Sequence, residues 1–331
     1  MSGLTFVDVC SGAGGLALGL ERAGFEPRLL LDEDGDAVQT LRTNRPHWNV
    51  LYTNLLDFDP TDHPESYDVD LLSAGLPRVK SNATVNRADS DMEVQLLKAA
   101  VYLVHAIKPR MLLIENVPGL ADSDDYEEFR EFARDELAHL GYEFSWSVLN
   151  AVDFGVPQNR KQGILMARRI DRTRAFHEPM PTVREPVTVG AALGPSMASR
   201  GWPDAARWAA QAGRPAPTLV GGSKNRGGAD LGPTGAKNTW ATMGVNAASL
   251  GDEIPGPDFV WDPALGKDGM VKITVEQAAL LQSFPPSWEI SGLKTSRYRQ
   301  VGHATPPPVG EALGRAVAEA LDANSAPPPA G

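Results

Sequence analysis

The sequence predicts an open, parallel α/β sheet joined to a smaller, irregular domain, and three observations predict it. Apolar runs of strand length alternate with helix-length segments from residue 1 to about 170. A glycine turn links the first run to the first helix, and an acid closes the second run. Periodicity then fades over about 171–270 and returns from Thr274.

Taken in order, Leu4-Thr5-Phe6-Val7-Asp8-Val9 is an apolar run of strand length. Leu16, Leu20 and Ala23 share one helical face, and Gly24 stops that helix. Arg28-Leu29-Leu30-Leu31, Asp70-Leu71-Leu72-Ser73 and Met111-Leu112-Leu113-Ile114 are three further runs. Helices are expected between them over Asp34–Arg42, Glu93–Ile107 and Tyr126–Leu140. Residues 171–270 are dense in Gly, Pro, Ala and Ser, with Gly221-Gly222, Gly227-Gly228 and Pro255-Gly256-Pro257 among them, and read as loop-rich. Helical spacing returns at Val275–Leu281 and at Val309–Leu321 behind Pro306-Pro307-Pro308. The Ala/Pro-rich end, residues 323–331, is expected to be disordered.

The chain has 331 residues, enough for one large or two ordinary domains, and its 42% hydrophobic content argues for a folded chain. A net charge of −11 excludes a wholesale basic coat but not a local basic patch. Ten acids fall within 115–143 against only Arg130 and Arg134, which reads mainly as a solvated helix face. Arg207, Arg214, Lys224, Arg226 and Lys237 fall within 205–250 against Asp230 alone. Lys224 and Arg226 lie in a glycine-rich loop, where little side-chain bulk blocks a phosphate backbone. One cysteine, Cys10, excludes a disulfide framework and a Cys-rich zinc site, and no metal is expected. No apolar run approaches the roughly 18 residues that span a bilayer. The N-terminus shows no basic leader, so a soluble protein of the cytoplasm is the expectation.

Asp8-Val9-Cys10-Ser11-Gly12-Ala13-Gly14-Gly15 follows the first strand and opens the first helix. Glycines let the backbone turn sharply beside a ligand, and the N–H groups of a helix N-terminus face it. Twenty residues after Gly12 stands Asp32, followed by Glu33 and Asp34, and an acid there accepts hydrogen bonds from ribose hydroxyls. A lone Gly-x-Gly is more often a tight turn. With strand, turn, helix, strand and acid in order, a nucleoside cofactor is the better reading. The missing third glycine of the dinucleotide fingerprint favours S-adenosylmethionine over NAD.

Four further segments make a resemblance specific. They are Ile114-Glu115-Asn116-Val117-Pro118-Gly119, Gly155-Val156-Pro157-Gln158-Asn159-Arg160, Leu280-Leu281-Gln282-Ser283-Phe284-Pro285-Pro286-Ser287-Trp288, and Tyr298-Arg299-Gln300-Val301-Gly302-His303-Ala304-Thr305-Pro306. In this order, from about Phe6 to Leu321, the chain resembles the DNA (cytosine-5) methyltransferases. The resemblance implies a Rossmann-like S-adenosylmethionine-dependent methyltransferase domain over 1–170 and a target-recognition domain over 171–270. It implies that 271–322 returns to the first domain, that double-stranded DNA is the partner, and that the target base is flipped out of the duplex. Cys10, Ser11, Gly12, Gly14, Gly15, Asp32, Glu33, Asn54, Leu55 and Ala304 map onto cofactor contacts. Glu115 maps onto the acid that holds the cytosine N3 and amine, and Arg160 onto an arginine at the pyrimidine O2.

The sequence departs from that family at the decisive place. A cysteine thiolate should follow the strand at Leu71–Gly75 and add to cytosine C6. What stands there is Leu76-Pro77-Arg78-Val79-Lys80, with Arg78 at the nucleophile's position. A guanidinium holds its proton far above neutral pH and has no electron pair to donate. Gln162 stands where a second arginine is usual, His303 where an asparagine is usual, and Asn54 where an aspartate is frequent.

Three readings follow. The chain is a working methyltransferase with a substitute nucleophile, Lys80 being nearest, although a phosphate-contacting or solvated lysine is the preferred reading of that residue. Or it is a catalytically silent S-adenosylmethionine- and DNA-binding partner of a companion methyltransferase or restriction subunit, with Arg78, Lys80 and Arg87 gripping DNA. Or it is a divergent methyltransferase with another substrate.

Overall fold

A computed structural model describes residues 3–79, 87–222 and 229–321, with side chains from Met92 onward in the helix that begins at Arg87. Lys80, Lys224, Arg226, the side chain of Arg87 and residues 323–331 therefore lie outside the described residues.

The strands are β1 (Leu4–Val9), β2 (Phe25–Asp32), β3 (Val50–Tyr52), β4 (Leu71–Gly75), β5 (Met111–Asn116), β6 (Tyr142–Asn150), β7 (Gln158–Asn159), β8 (Lys161–Arg169) and β9 (Ala216–Pro217). The first helices are α1 (Gly15–Arg22), α2 (Gly35–Asn44), α3 (Arg87–Ile107), α4 (Gly119–Asp122) and α5 (Glu127–His139). They continue with α6 (Val189–Ala198), α7 (Ala205–Gln211), α8 (Thr234–Thr242), α9 (Val275–Leu281), α10 (Lys294–His303) and α11 (Pro307–Leu321).

Among the described residues, seven strands form one sheet in the order β3-β2-β1-β4-β5-β8-β6, while β7 pairs only with β9. Strands β1 to β5 run parallel, as the alternation of runs and helices predicts. The far edge does not: β8 runs antiparallel to both β5 and β6. The sheet is mixed rather than wholly parallel, because a short connection carrying Gly155 at φ 79° turns β6 back into β8 with no crossover helix.

Alternate side chains along each strand enter two cores. Val7, Val9, Leu31, Leu72, Leu112 and Ile114 face α3 and α5. Phe6, Leu30, Leu71, Met111, Leu113 and Ile164 face the other side. That second core continues into α1, α11 and a cluster of buried tryptophans, Trp202, Trp208, Trp240 and Trp261. Residues 171–270 are thus less irregular than composition suggests, since α6, α7 and α8 close on those indoles. Helix α11 lies on α1 with no room between them, and a Cβ on Gly19 would stand 2.5 Å from the backbone of Pro307 and Glu311.

The order of strands reverses between β1 and β4. Ligands of open α/β sheets bind outside the carboxyl ends of strands at such a point. Turns after β1, β2, β4 and β5 all open there, and they carry most of the predicted site residues.

Candidate functional site

The turn after β1 is built by backbone conformations that favour glycine. Gly12 and Gly14 have φ of 52° and 80°, and Cys10 holds φ 55°. Gly14 N–H donates to Ser11 O at 2.9 Å, and Leu18 N–H donates to Gly14 O at 2.8 Å, which starts α1. A Cβ on Gly12 would meet nothing within 4 Å, so the turn fronts open space. On Gly14 and Gly15 the reverse holds: a Cβ would stand 2.5 Å from Leu41 Cδ2 and 2.0 Å from Thr305 O respectively.

Asp32 shapes this turn from beneath. Its two carboxylate oxygens accept from Gly12 N–H and Asp34 N–H, each at 2.8 Å. Burial raises its pKa, and those two N–H groups oppose the rise. Both Asp32 oxygens are engaged by the turn itself, and the neighbouring acid is Glu33. That side chain is exposed and accepts from Asn54 Nδ2 at 2.6 Å. Asn54 Oδ1 caps the short helical turn at Leu55–Asp57 by accepting from Leu56 N–H at 2.8 Å, so one of its lone pairs is already engaged. Leu55 and Ala304 are buried, and Ala304 O accepts from Gln282 Nε2 at 3.3 Å. The open front of Gly12, the helix N-terminus and an exposed acid at the end of β2 fit a nucleoside cofactor. Cys10 packs on the β1–β4 core, and burial, with Asp32, Asp8 and Glu33 nearby, pushes its thiol well above the usual range. It is a packing group rather than a nucleophile.

Below the turn, Asp8 is fully buried and its pKa is raised to about 7, by burial foremost and against the Ser73 hydroxyl, which donates to it at 2.5 Å. From the ordinary 3.8 up to about 7, the native state holds a proton that the unfolded chain releases. Stability therefore falls as pH rises through that window, by at most about 1.4 kcal/mol per pH unit, and the full cost persists above it. Asp8→Asn mimics the protonated form and is expected to remove this slope. In thermal melts at pH 5 and pH 8, the wild type should lose ground to the variant at pH 8.

The loop after β4 carries Arg78. Its neighbours are pinned: Asn116 Oδ1 accepts from Val79 N–H at 3.1 Å, and Asn116 Nδ2 donates to Pro77 O at 3.1 Å. Tyr126 Oη donates to Val79 O at 3.3 Å. A buried asparagine at the end of β5 thus fixes where side chain 78 starts, and Arg78 is half-buried at the pocket.

Glu115, one residue earlier on β5, is buried and accepts from Thr305 Oγ1 at 3.1 Å through Oε2, while Oε1 has no partner within the chain. Arg160 is fully buried and donates to three backbone carbonyls. Its Nη1 donates to Leu219 O at 3.0 Å and Gly302 O at 2.9 Å, and Nη2 donates to His303 O at 3.3 Å. Only Nε lacks a partner, so the guanidinium holds three chain segments together. Burial and then the charge of Arg78 push its pKa down to about 9, while Glu115 opposes them. His303 Nε2 bonds Gly222 O at 3.1 Å, and desolvation, followed by Arg78, lowers its pKa to about 4. The Arg78 charge thus acts on both Arg160 and His303.

A second clasp went unassigned by sequence reasoning. Gln158 donates to Gln282 Oε1 at 2.8 Å and accepts from Leu219 N–H at 2.8 Å, and Gln282 donates to Val301 O at 2.7 Å. Thr305 was also missed as a site residue, although it stands inside the quoted Gly302–Pro306 segment. Among the described residues no group of three His, Cys, Asp or Glu side chains could hold a metal ion, and no helix is long and apolar enough to cross a membrane.

Comparison with known proteins accords with this geometry. Residues 4–203 and 232–319 match the family model of the C-5 cytosine-specific DNA methylases. The chain is 42% identical over 325 residues to the Type II methyltransferase M.NaeI of Lentzea aerocolonigenes, covering 97% of this chain and 76% of that protein. It is 36% identical over 326 residues to the Type II methyltransferase M.NgoMIV of Neisseria gonorrhoeae, covering 96% and 98%. Its fold is similar to that of the S. pombe Dnmt2 methyltransferase, with a TM-score of 0.63 at 18% identity over 96% of this chain and 98% of that one. The Entamoeba histolytica methyltransferase EhMeth gives a TM-score of 0.65 at 15% identity, again over 96% and 98%. The chain belongs to the C-5 cytosine-specific DNA methylase family, the S-adenosylmethionine-dependent DNA cytosine-5 methyltransferases.

Proposed function

We propose that this chain binds S-adenosylmethionine and duplex DNA and holds an extruded cytosine without adding a nucleophile to its C6. The observation that carries the reading is Arg78, whose two neighbours are pinned by Asn116 at the end of β5 and by Tyr126 just before α5. Cytosine C5 becomes nucleophilic only when an electron pair adds at C6, and a protonated guanidinium has none to give. Bound S-adenosylmethionine supplies an electrophilic methyl group. Cys10–Gly15 would cradle it, Glu33 would accept from its ribose, and Asn54 and Leu55 would border its adenine. Glu115 Oε1 would accept from the cytosine amine, and Arg160 would keep the pocket's three walls in register.

Residues 171–270, with Lys224 and Arg226, would read the DNA across the cleft, and Arg78, Lys80 and Arg87 would grip its phosphates or the flipped base. In this reading the chain serves a companion methyltransferase or restriction subunit in the cytoplasm. A second reading, methyl transfer by another route, is favoured by the 42% identity to a Type II methyltransferase along 97% of the chain.

Binding separates both from a reading in which the substrate is not DNA. The expected result is saturable S-adenosylmethionine binding by calorimetry together with DNA affinity that falls steeply with salt. Roughly 0.9 of a log unit per log unit of salt is lost for each phosphate neutralised. Cofactor binding with no salt-dependent DNA binding would overturn the proposal.

A further inference from the structure

The turn after β1 is held at its back by an indole from the other end of the chain. Trp288 Nε1 donates to Ala13 O at 3.0 Å across 275 residues, and its Cζ2 would stand 3.2 Å from a Cβ on Gly14. Ala13 lies between Gly12 and Gly14, which have no Cβ to confine φ and sit at 52° and 80°. Backbone so flanked has weak preferences of its own, and a peptide plane turns as a rigid unit. The plane between Ala13 and Gly14 is bonded at both ends, its carbonyl to Trp288 and its N–H to Ser11 O at 2.9 Å.

Trp288 is fixed in turn by what packs on it. The Arg45 guanidinium lies 5.2 Å from its ring centroid and 5.7 Å from that of Trp48. Phe284 stacks on it with centroids 6.0 Å apart. Arg45 Nε donates to both oxygens of Glu21 at 2.9 Å, and Nη2 donates to Oε2 at 2.7 Å. Glu21 belongs to α1, the helix that the turn opens. A circuit closes from the turn through α1, Glu21, Arg45 and Trp288 back to Ala13.

We propose that Trp288 is a positioning residue of the S-adenosylmethionine site: its indole N–H sets the Ala13 carbonyl, and with it the turn, while Arg45 holds the ring in place for that bond. The inference deepens the reading above and rests on Cys10–Gly15 as the cofactor's cradle. Trp48 supplies the contrast. It is as buried as Trp288, 5% against 6% exposed, and packs on the same guanidinium, but its Nε1 has no partner among the described residues.

The test is S-adenosylmethionine titration by calorimetry of the full chain, Trp288→Phe and Trp48→Phe. Both substitutions remove an indole N–H from the same stack, and only the first removes a hydrogen bond to the turn. Trp288→Phe is expected to raise Kd about tenfold, as loss of a buried hydrogen bond does, and Trp48→Phe by no more than about twofold. Equal weakening in the two would assign both effects to packing and overturn the role of Trp288, as would unchanged affinity in Trp288→Phe. If Trp288→Phe does not fold, Arg45→Met, which leaves both indoles, is read instead. About threefold weaker binding is then expected, and unchanged affinity overturns the proposal. A wild type that binds no S-adenosylmethionine would overturn the cradle itself.

Discussion

Arg78→Cys is expected to raise methyl transfer by this chain from background to the level of a working methyltransferase. The loop from Leu76 to Val79 is already held by Asn116 and Tyr126, so a side chain at 78 starts from a fixed backbone. The buried Arg160 guanidinium, on which the Arg78 charge acts, would favour a thiolate there. The rest of the apparatus stands: Glu115 with a free acceptor, the cofactor turn with its open front, and α11 locking Thr305 against both. Replacing the cation supplies the one missing electron pair. Incorporation of labelled methyl groups into DNA from a host that lacks cytosine methylation should rise at least ~10³-fold over the wild type, the scale on which single nucleophiles act. A variant that binds cofactor and DNA yet transfers nothing would show that the pocket has diverged beyond position 78.

The second large effect comes from one methyl group. Gly15→Ala places a Cβ 2.0 Å from Thr305 O and 3.2 Å from Phe284 Cζ. Backbone cannot rotate away as a side chain does, so α1 and the Thr305 turn must separate. That movement draws Thr305 Oγ1 off Glu115 and loosens α11 from α1. Overpacking of this kind costs about 1–3 kcal/mol where side chains yield, and more where backbone must. The expected result is a melting temperature well below wild type and loss of S-adenosylmethionine binding together. Retention of cofactor affinity would mean that the turn does not carry the site.

Much of this was legible in the chain because it is local. Leu4–Val9 and Val275–Leu281 form the strand and helix that their spacing predicts, with identical bounds. The glycine turn followed by an acid pointed to the cofactor crevice, since strand, turn, helix and strand are neighbours in sequence. The antiparallel edge was not legible. Tyr142–Asn150 alternates weakly, and its reversal into β8 depends on Gly155, which was read as part of a motif. Arg160 was legible as a motif residue but its contacts within the chain were not, because its partners Leu219, Gly302 and His303 lie 59 to 143 residues away. Which of the two acids the turn engages was not legible either. Adjacent acids at a strand end point to opposite sides, and sequence does not say which one the turn consumes.

The central claim is that Arg78 ends methyl transfer in a protein that keeps its cofactor and base sites. It is tested most directly by expressing the unaltered chain in a host without cytosine methylation and sequencing that host's DNA for modified bases. The account predicts no methylated cytosine above background while the soluble protein binds S-adenosylmethionine. Methylated cytosines at one short recurring motif would contradict it and make Lys80 the first residue to replace.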